Sequence, residues 1–186
     1  MPLPFKIQSQ TSFNAISLEQ AKDQCRVALG FHIDDDYITQ LILSAADCAQ
    51  EYLHWMVSPG VVKQYAAVSN DLDGIRLYGR NISEITEITA KNQQGEDVTL
   101  TTDDYTYNDV TEMIVISETM RGYTDFFITY SCGATPEQLP HNVRHGILML
   151  ISTMYNNRED FITGLSVANM PMSSYKLLKK SRLYVS

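Results

Sequence analysis

Residues 34–53, DDDYITQLILSAADCAQEYL, decide the class of this chain. Ile38, Leu41, Ile42, Ala45, Ala49, Tyr52, Leu53 and, just beyond, Met56 recur at the three-and-four spacing of one apolar helix face. The spacing predicts a helix of about five turns. It starts at Asp34-Asp35-Asp36, where carboxylates are favoured by the partial positive charge of a helix N-terminus, and stops before Ser58-Pro59-Gly60. Upstream, Ser17-Leu18-Glu19-Gln20 spells a capping box, so a shorter helix of about three turns begins at Leu18. Its apolar positions are Ala21, Cys25 and Ala28 or Leu29, and Gly30 supplies the left-handed residue that ends it. Two such helices over 14–57 bury each other's stripes and leave a face for further elements to cover.

The pattern changes over 61–133. β-branched and aromatic residues crowd into short runs at 61–68, 75–78, 82–90, 98–100, 105–107, 113–116 and 126–130. The turns between them hold Asn70-Asp71-Leu72-Asp73-Gly74, Asn92-Gln93-Gln94-Gly95 and Arg121-Gly122. Ile82, Ile85 and Ile88 stand three apart, which is not clean strand alternation. About six strands between helices predict an antiparallel sheet or small sandwich and argue against a parallel doubly wound fold. Over 134–186 the chain is helical again. Pro140 fits a first helical turn, Val143, Ile147, Leu150, Ile151 and Met154 form an apolar face meant for the second helix, and Asn156-Asn157-Arg158-Glu159-Asp160 ends it. Gly164 to Pro171 reads as a mobile loop, and residues 173–182 as a short basic amphipathic helix. The expectation is an α+β chain, mainly a helical bundle with an antiparallel β region inserted at about 61–133 between the second and third long helices, in a single domain over 1–186.

Composition narrows the function. At 186 residues the chain is the size of one ordinary domain. Charged residues make up 19%, below the roughly 25% usual in globular chains, so more of the surface than usual is uncharged and open to partners. Lys plus Arg number 14 against 22 Asp plus Glu, a formal charge of -8, which argues against a basic groove that grips phosphates. The longest apolar run, Ile147 to Ile151, falls far short of the roughly 18 residues of a membrane span. Met1-Pro2-Leu3-Pro4-Phe5-Lys6 does not read as a secretory signal, so the product is expected to stay where it is made.

Candidate chemistry is sparse. His141 and His145 are four apart on a predicted helix, a spacing at which two imidazoles share a metal, but no third ligand is placed, and they read as solvent or interface histidines. Asn70 to Gly74 offers several oxygen ligands but lacks the closing Glu of a calcium loop and reads as a hairpin turn. Asp34, Asp35 and Asp36 diverge around a helix start instead of converging on one point. Cys132, beside Gly133 at a strand end, is the one candidate nucleophile, since a strand-end thiol can be exposed and activated, but no histidine is assigned to it. Cys25 and Cys48 read as small apolar residues in helices. Glycine-rich phosphate loops are absent. The reading is of a non-enzyme without cofactor or metal.

The order of elements resembles the tailed-phage head-tail connector proteins, also called adaptor or head-completion proteins. The resemblance is carried by Ile16-Ser17-Leu18-Glu19-Gln20-Ala21-Lys22 to Val27, and by the acidic turn leading to Ala45-Ala46 and Glu51-Tyr52-Leu53. It continues through Asp104-Tyr105, Ile128-Thr129-Tyr130-Ser131-Cys132-Gly133 before Pro136 and Pro140, and Ile147-Leu148-Met149-Leu150 to Met154-Tyr155-Asn156-Asn157-Arg158-Glu159. Ser131-Cys132 departs from the more usual Thr or Ala followed by Ala. The resemblance implies a virion protein made in a bacterial cytoplasm, which assembles as a homo-oligomeric ring of about twelve subunits beneath the portal and joins the head to the tail. DNA would pass through its channel without sequence-specific binding. The implied partners are the portal and a stopper or tail-completion protein, with no membrane. Alternatives are that the chain is itself such a stopper or tail-completion factor, or a small enzyme or metal-binding protein with its site in the β region. The basic tail, with Tyr175, Leu177, Leu178, Lys179, Lys180 and Arg182, is the candidate docking element for another virion protein; the competing reading packs it on its own bundle.

Overall fold

The computed structural model describes residues 5–67, 74–120, 122–157 and 173–183. The chain is an α+β protein in which antiparallel sheets are inserted between the second and third helices. It divides into two compact units, one of residues Met1–Thr11 and Pro59–Gly133, the other of Ser12–Ser58 and Ala134–Ser186.

The second of these is helical. Helix α1, Leu18–Cys25, opens with the predicted box: the Gln20 amide donates to Ser17 Oγ at 3.2 Å and the Ser17 amide to Gln20 Oε1 at 3.0 Å. It ends sooner than Gly30, because Arg26 itself turns left-handed at φ 58°. Helix α2, Asp35–Leu53, buries Ile38, Ile42, Ala45, Ala46, Ala49 and Leu53. Its apolar stripe is the predicted one, but it stops three residues before Met56. His54 turns left-handed at φ 62°, and the Gln50 side chain takes up the Val57 amide at 3.1 Å. Helix α3, His141–Asn156, follows Pro140 and buries Val143, Gly146, Ile147, Leu150 and Ile151, and it packs on α2 as the sequence predicts. The Arg144 guanidinium donates to the carbonyls of Ala15 and Pro136, which fixes the segments leading into α1 and α3. Helix α4, Ser173–Lys179, lies on α3 and α2. Gly146 makes that contact possible, since a Cβ there would stand 2.9 Å from Leu178 Cδ2 and 3.1 Å from its Cγ. Beyond α4, Trp55 Nε1 donates to the Ser181 carbonyl at 2.8 Å and the Leu183 amide to the Leu53 carbonyl at 2.9 Å.

The β unit begins with a strand that the sequence reading missed, β1, Phe5–Gln10. After it come β2 (Gly60–Ala66), β3 (Ile75–Arg76), β4 (Glu84–Lys91), β5 (Asp97–Thr99), β6 (Tyr105–Asn108), β7 (Met113–Ile116) and β8 (Thr124–Cys132). One sheet has the order β1-β2-β8-β4-β5 and the other β3-β7-β6, with antiparallel neighbours throughout. The isoleucines three apart are explained by an irregularity in β4. Ile85 pairs with Tyr130 and Ile88 with Ile128, and the register shift between Ile85 and Glu87 absorbs the odd residue, so both face the same side.

Both sheets share a polar knot. The Tyr130 hydroxyl stands 2.6 Å from the Tyr78 carbonyl oxygen and 2.8 Å from Gln64 Oε1, two acceptors for its one proton. It also accepts from the Tyr78 amide at 3.1 Å, while Gln64 Nε2 donates to the Arg76 carbonyl at 2.8 Å. Gln64 and Tyr130 are buried in the central strands of the larger sheet, and burial drives the Tyr130 phenol far above its ordinary pKa. Buried polar groups that lose a partner keep their desolvation penalty. Tyr130→Phe is therefore expected to lower stability by about 1–3 kcal/mol in urea unfolding, and a change below about 0.5 kcal/mol would refute the knot's structural role.

Candidate functional site

Cys132, the candidate nucleophile, is 3% exposed and not an open strand-end thiol. Gly79, at φ +137°, lies so close that a Cβ there would stand 3.2 Å from the Cys132 sulfur. Burial, with the Glu112 carboxylate as a second cause, raises the thiol to about 12. The strand-end position was legible in sequence, but the close approach of Gly79 and the charge of Glu112 were not. His141 and His145 are both exposed on α3, and among the described residues no group of three or more His, Cys, Asp or Glu is placed to hold a metal. Residues 70–73 of the proposed turn and the loop from Gly164 to Pro171 lie outside the described residues, as do Arg158, Glu159 and Asp160. No described helix is long and apolar enough to cross a membrane.

The six docking candidates at the C-terminal end divide by burial. Leu178 is 0% exposed in the helical core. The Tyr175 ring meets Tyr52 edge-on with centroids 4.9 Å apart, and the Arg182 guanidinium lies over the same Tyr52 ring at 4.9 Å. Arg182 also places a guanidinium nitrogen 3.3 Å from His54 Nε2. Asn142 Nδ2 donates to the Leu177 carbonyl and to Ser181 Oγ, both at 2.9 Å. The helix and the residues just after it thus pack on their own bundle through Tyr175, Leu178 and Arg182. Leu177 is half-buried, and Lys179 and Lys180 are exposed together with Lys176.

The second surface was not recognised in the sequence. Between α1 and α2 the connection presents Leu29, Phe31 and Ile33 at 49%, 41% and 82% exposure. The spacing puts Ala28 or Leu29 on the first helix's face, but α1 has already ended at Cys25. The loop is pinned from beneath by Lys22. Its buried ammonium stands 2.5 Å from Asp35 Oδ1 and donates to the Leu29 carbonyl at 3.2 Å. His32 Nδ1 lies 2.8 Å from Asp35 Oδ2, and Lys22 first, then His32, hold the Asp35 carboxyl below its usual range. The Phe31 amide donates to the Ala28 carbonyl at 2.9 Å, and the Tyr155 hydroxyl to Asp34 Oδ2 at 2.6 Å. The acidic run therefore does more than favour a helix start: Asp35 and Asp34 tie the loop to α1 and α3. The available signal was the alternation of Val27, Leu29, Phe31 and Ile33 through a helix connection, where polar residues are usual.

No protein-family model and no curated protein matches this chain. Solved structures do. A chain of the "Virion of native gene transfer agent (GTA) particle" superimposes with a TM-score of 0.72 at 13% identity, covering 98% of this chain and 96% of that one. A chain of the "Neck of empty GTA particle computed with C6 symmetry" gives 0.70 at 13% identity, covering 98% of this chain and 96% of that one. A chain of the "Neck of native GTA particle computed with C12 symmetry" gives 0.60 at 12% identity, covering 96% of this chain and 97% of that one. The likeness is one of fold. At 98% of the chain it reaches both compact units.

Two measurements check these placements. Leu178→Ala is expected to cost about 2–5 kcal/mol in denaturant unfolding, while Lys179→Ala and Lys180→Ala stay within about 0.5 kcal/mol. Equal, small effects for all three would take Leu178 out of the core. For Cys132, the raised pKa keeps the folded thiol neutral while the unfolded thiol ionises from about 9, so its contribution is complete below pH 9 and is lost as the pH rises towards about 12. The stability gap between the natural chain and Cys132→Ala should be smaller at pH 11 than at pH 8, with the narrowing above about pH 9, and a constant gap would contradict the burial.

Proposed function

We propose that the protein is a structural subunit of the neck of a phage-like particle, forming a ring around the DNA exit channel and joining the portal of the head to the tail. The observation that carries this reading is fold likeness over 98% of the chain, reaching 96% of a chain from a gene transfer agent virion. Likeness to neck chains solved with sixfold and twelvefold symmetry supports a ring, and the sequence resemblance to connector proteins supports about twelve copies. A chain of net charge -8 suits the task, because an acidic assembly repels phosphates and lets DNA slide without sticking. Lys179, which ends α4, and Lys180 just beyond it are exposed, with the half-buried Leu177 beside them, and are available to another subunit of the particle. Tyr175, Leu178 and Arg182 would then act by holding α4 in place.

The test is the mass of the purified chain by light scattering over a wide concentration range, alone and with the portal protein of the same particle. A closed ring, or a stoichiometric complex formed on the portal, is the expected result. A monomer at every concentration that also ignores the portal would overturn the reading.

A further inference from the structure

This inference rests on the ring reading and names the surfaces that close it. A cyclic ring is built from heterologous contacts, in which each copy offers two different, mutually complementary patches. The helical unit carries two such patches at opposite ends of one helix. The loop with Leu29, Phe31 and Ile33 lies before the N-terminus of α2. The α4 segment gathers at the other end, where Tyr52, Leu53, His54 and Trp55 meet Tyr175, Leu183, Arg182 and Ser181. Helix α2 has 19 residues, so the ends are about 28 Å apart at 1.5 Å per residue. Helix α3 repeats the polarity, with Tyr155 at the loop end and Asn142 and Gly146 at the α4 end.

The two ends also differ in charge. Around the loop, Asp23, Asp34, Asp35 and Asp36 outnumber Lys22 and Arg26, and Asp23 and Asp36 are exposed. Residues 173–183 carry Lys176, Lys179, Lys180 and Arg182 with no acid among them. The loop has the makings of a binding anchor: large apolar side chains on a backbone fixed by the buried Lys22, within an acidic rim. The α4 end offers the converse, a flank of Tyr175, Leu177 and Leu183 bordered by lysines. We propose that neighbouring copies meet head to tail through these ends, with Leu29, Phe31 and Ile33 of one copy seated against the lysine-bordered α4 surface of the next.

Two variants block one patch each: Phe31→Ser with Ile33→Ser, and Lys179→Glu with Lys180→Glu. All four positions are exposed, so both variants should keep the circular dichroism and melting temperature of the natural chain. Each alone is expected to weaken self-association at least about tenfold, measured by sedimentation at concentrations where the natural chain assembles. Mixed together, they retain one intact pairing, the loop of the lysine variant with the α4 of the loop variant, and should give a 1:1 dimer that grows no further. Assembly of either variant as tightly as the natural chain would overturn the proposal and leave the ring reading standing. Loss of portal binding with rings intact would do the same and assign the altered patch to a different protein. Failure of the mixture to dimerise would refute the pairing. A natural chain that never assembles, alone or on the portal, would remove both proposal and ring reading.

Discussion

The seam between α2 and α3 organises the helical half of this protein. Small residues line it on one side: Ala45, Ala46 and Ala49 of α2 are buried in one cluster with Ile38, Ile42, Ile147 and Ile151. Every other helical element is fixed by reference to that pair. Helix α1 is bound to the start of α2 by the Lys22 ion pair, and the Asp34 carboxylate at that start takes the hydroxyl of Tyr155 from the end of α3. At the far end, α4 fits over Gly146 and is anchored by Trp55 and Asn142. With the seam loosened, the opposite ends of the unit would lose their fixed separation.

The β unit depends on a different kind of constraint. Its larger sheet takes one edge strand, β1, from before the helices and the rest from the insertion. The chain therefore leaves one unit for the other three times, near residues 11, 58 and 133. A buried polar knot around Tyr130 and Gln64, unlike an oily contact, tolerates only one arrangement of its donors and acceptors. That makes it a device for specificity, fixing β2, β8 and the segment at Tyr78 in one mutual register.

What could be read in the sequence was whatever local chemistry settles. The Ser17 box, the apolar stripe of α2 and the valine-rich and isoleucine-rich runs each fall within a few residues of the observed elements, because capping and periodicity act over one or two turns. The rest was set by partners distant in sequence. β1 is a short edge strand with five of six residues exposed, so its alternation carries little apolar signal, and only pairing with β2 makes it a strand. Cys132 looked reactive because Gly79 and Glu112, fifty-three and twenty residues away, are invisible at its position. The early end of α1 turns on Arg26 entering a conformation that sequence would assign to Gly30. For the candidate site, the basic C-terminal helix was legible, but its division into buried Leu178 and exposed Lys179 and Lys180 needed the packing on α3. The apolar loop showed only as an alternation of Val27, Leu29, Phe31 and Ile33, and the Lys22 contacts that fix it are set by folding.

That buried lysine has a kinetic meaning. A flexible loop must be frozen when it docks, and each immobilised side chain and backbone segment subtracts from the binding energy. Here Lys22 holds the Leu29 carbonyl and Asp35 together in the free chain, so the ordering is completed while the protein folds. A surface prepared in this way needs no rearrangement at the moment of encounter. Its association can then run near the rate set by diffusion and orientation, about 10⁵–10⁷ M⁻¹s⁻¹ for typical protein pairs, whatever partner it meets.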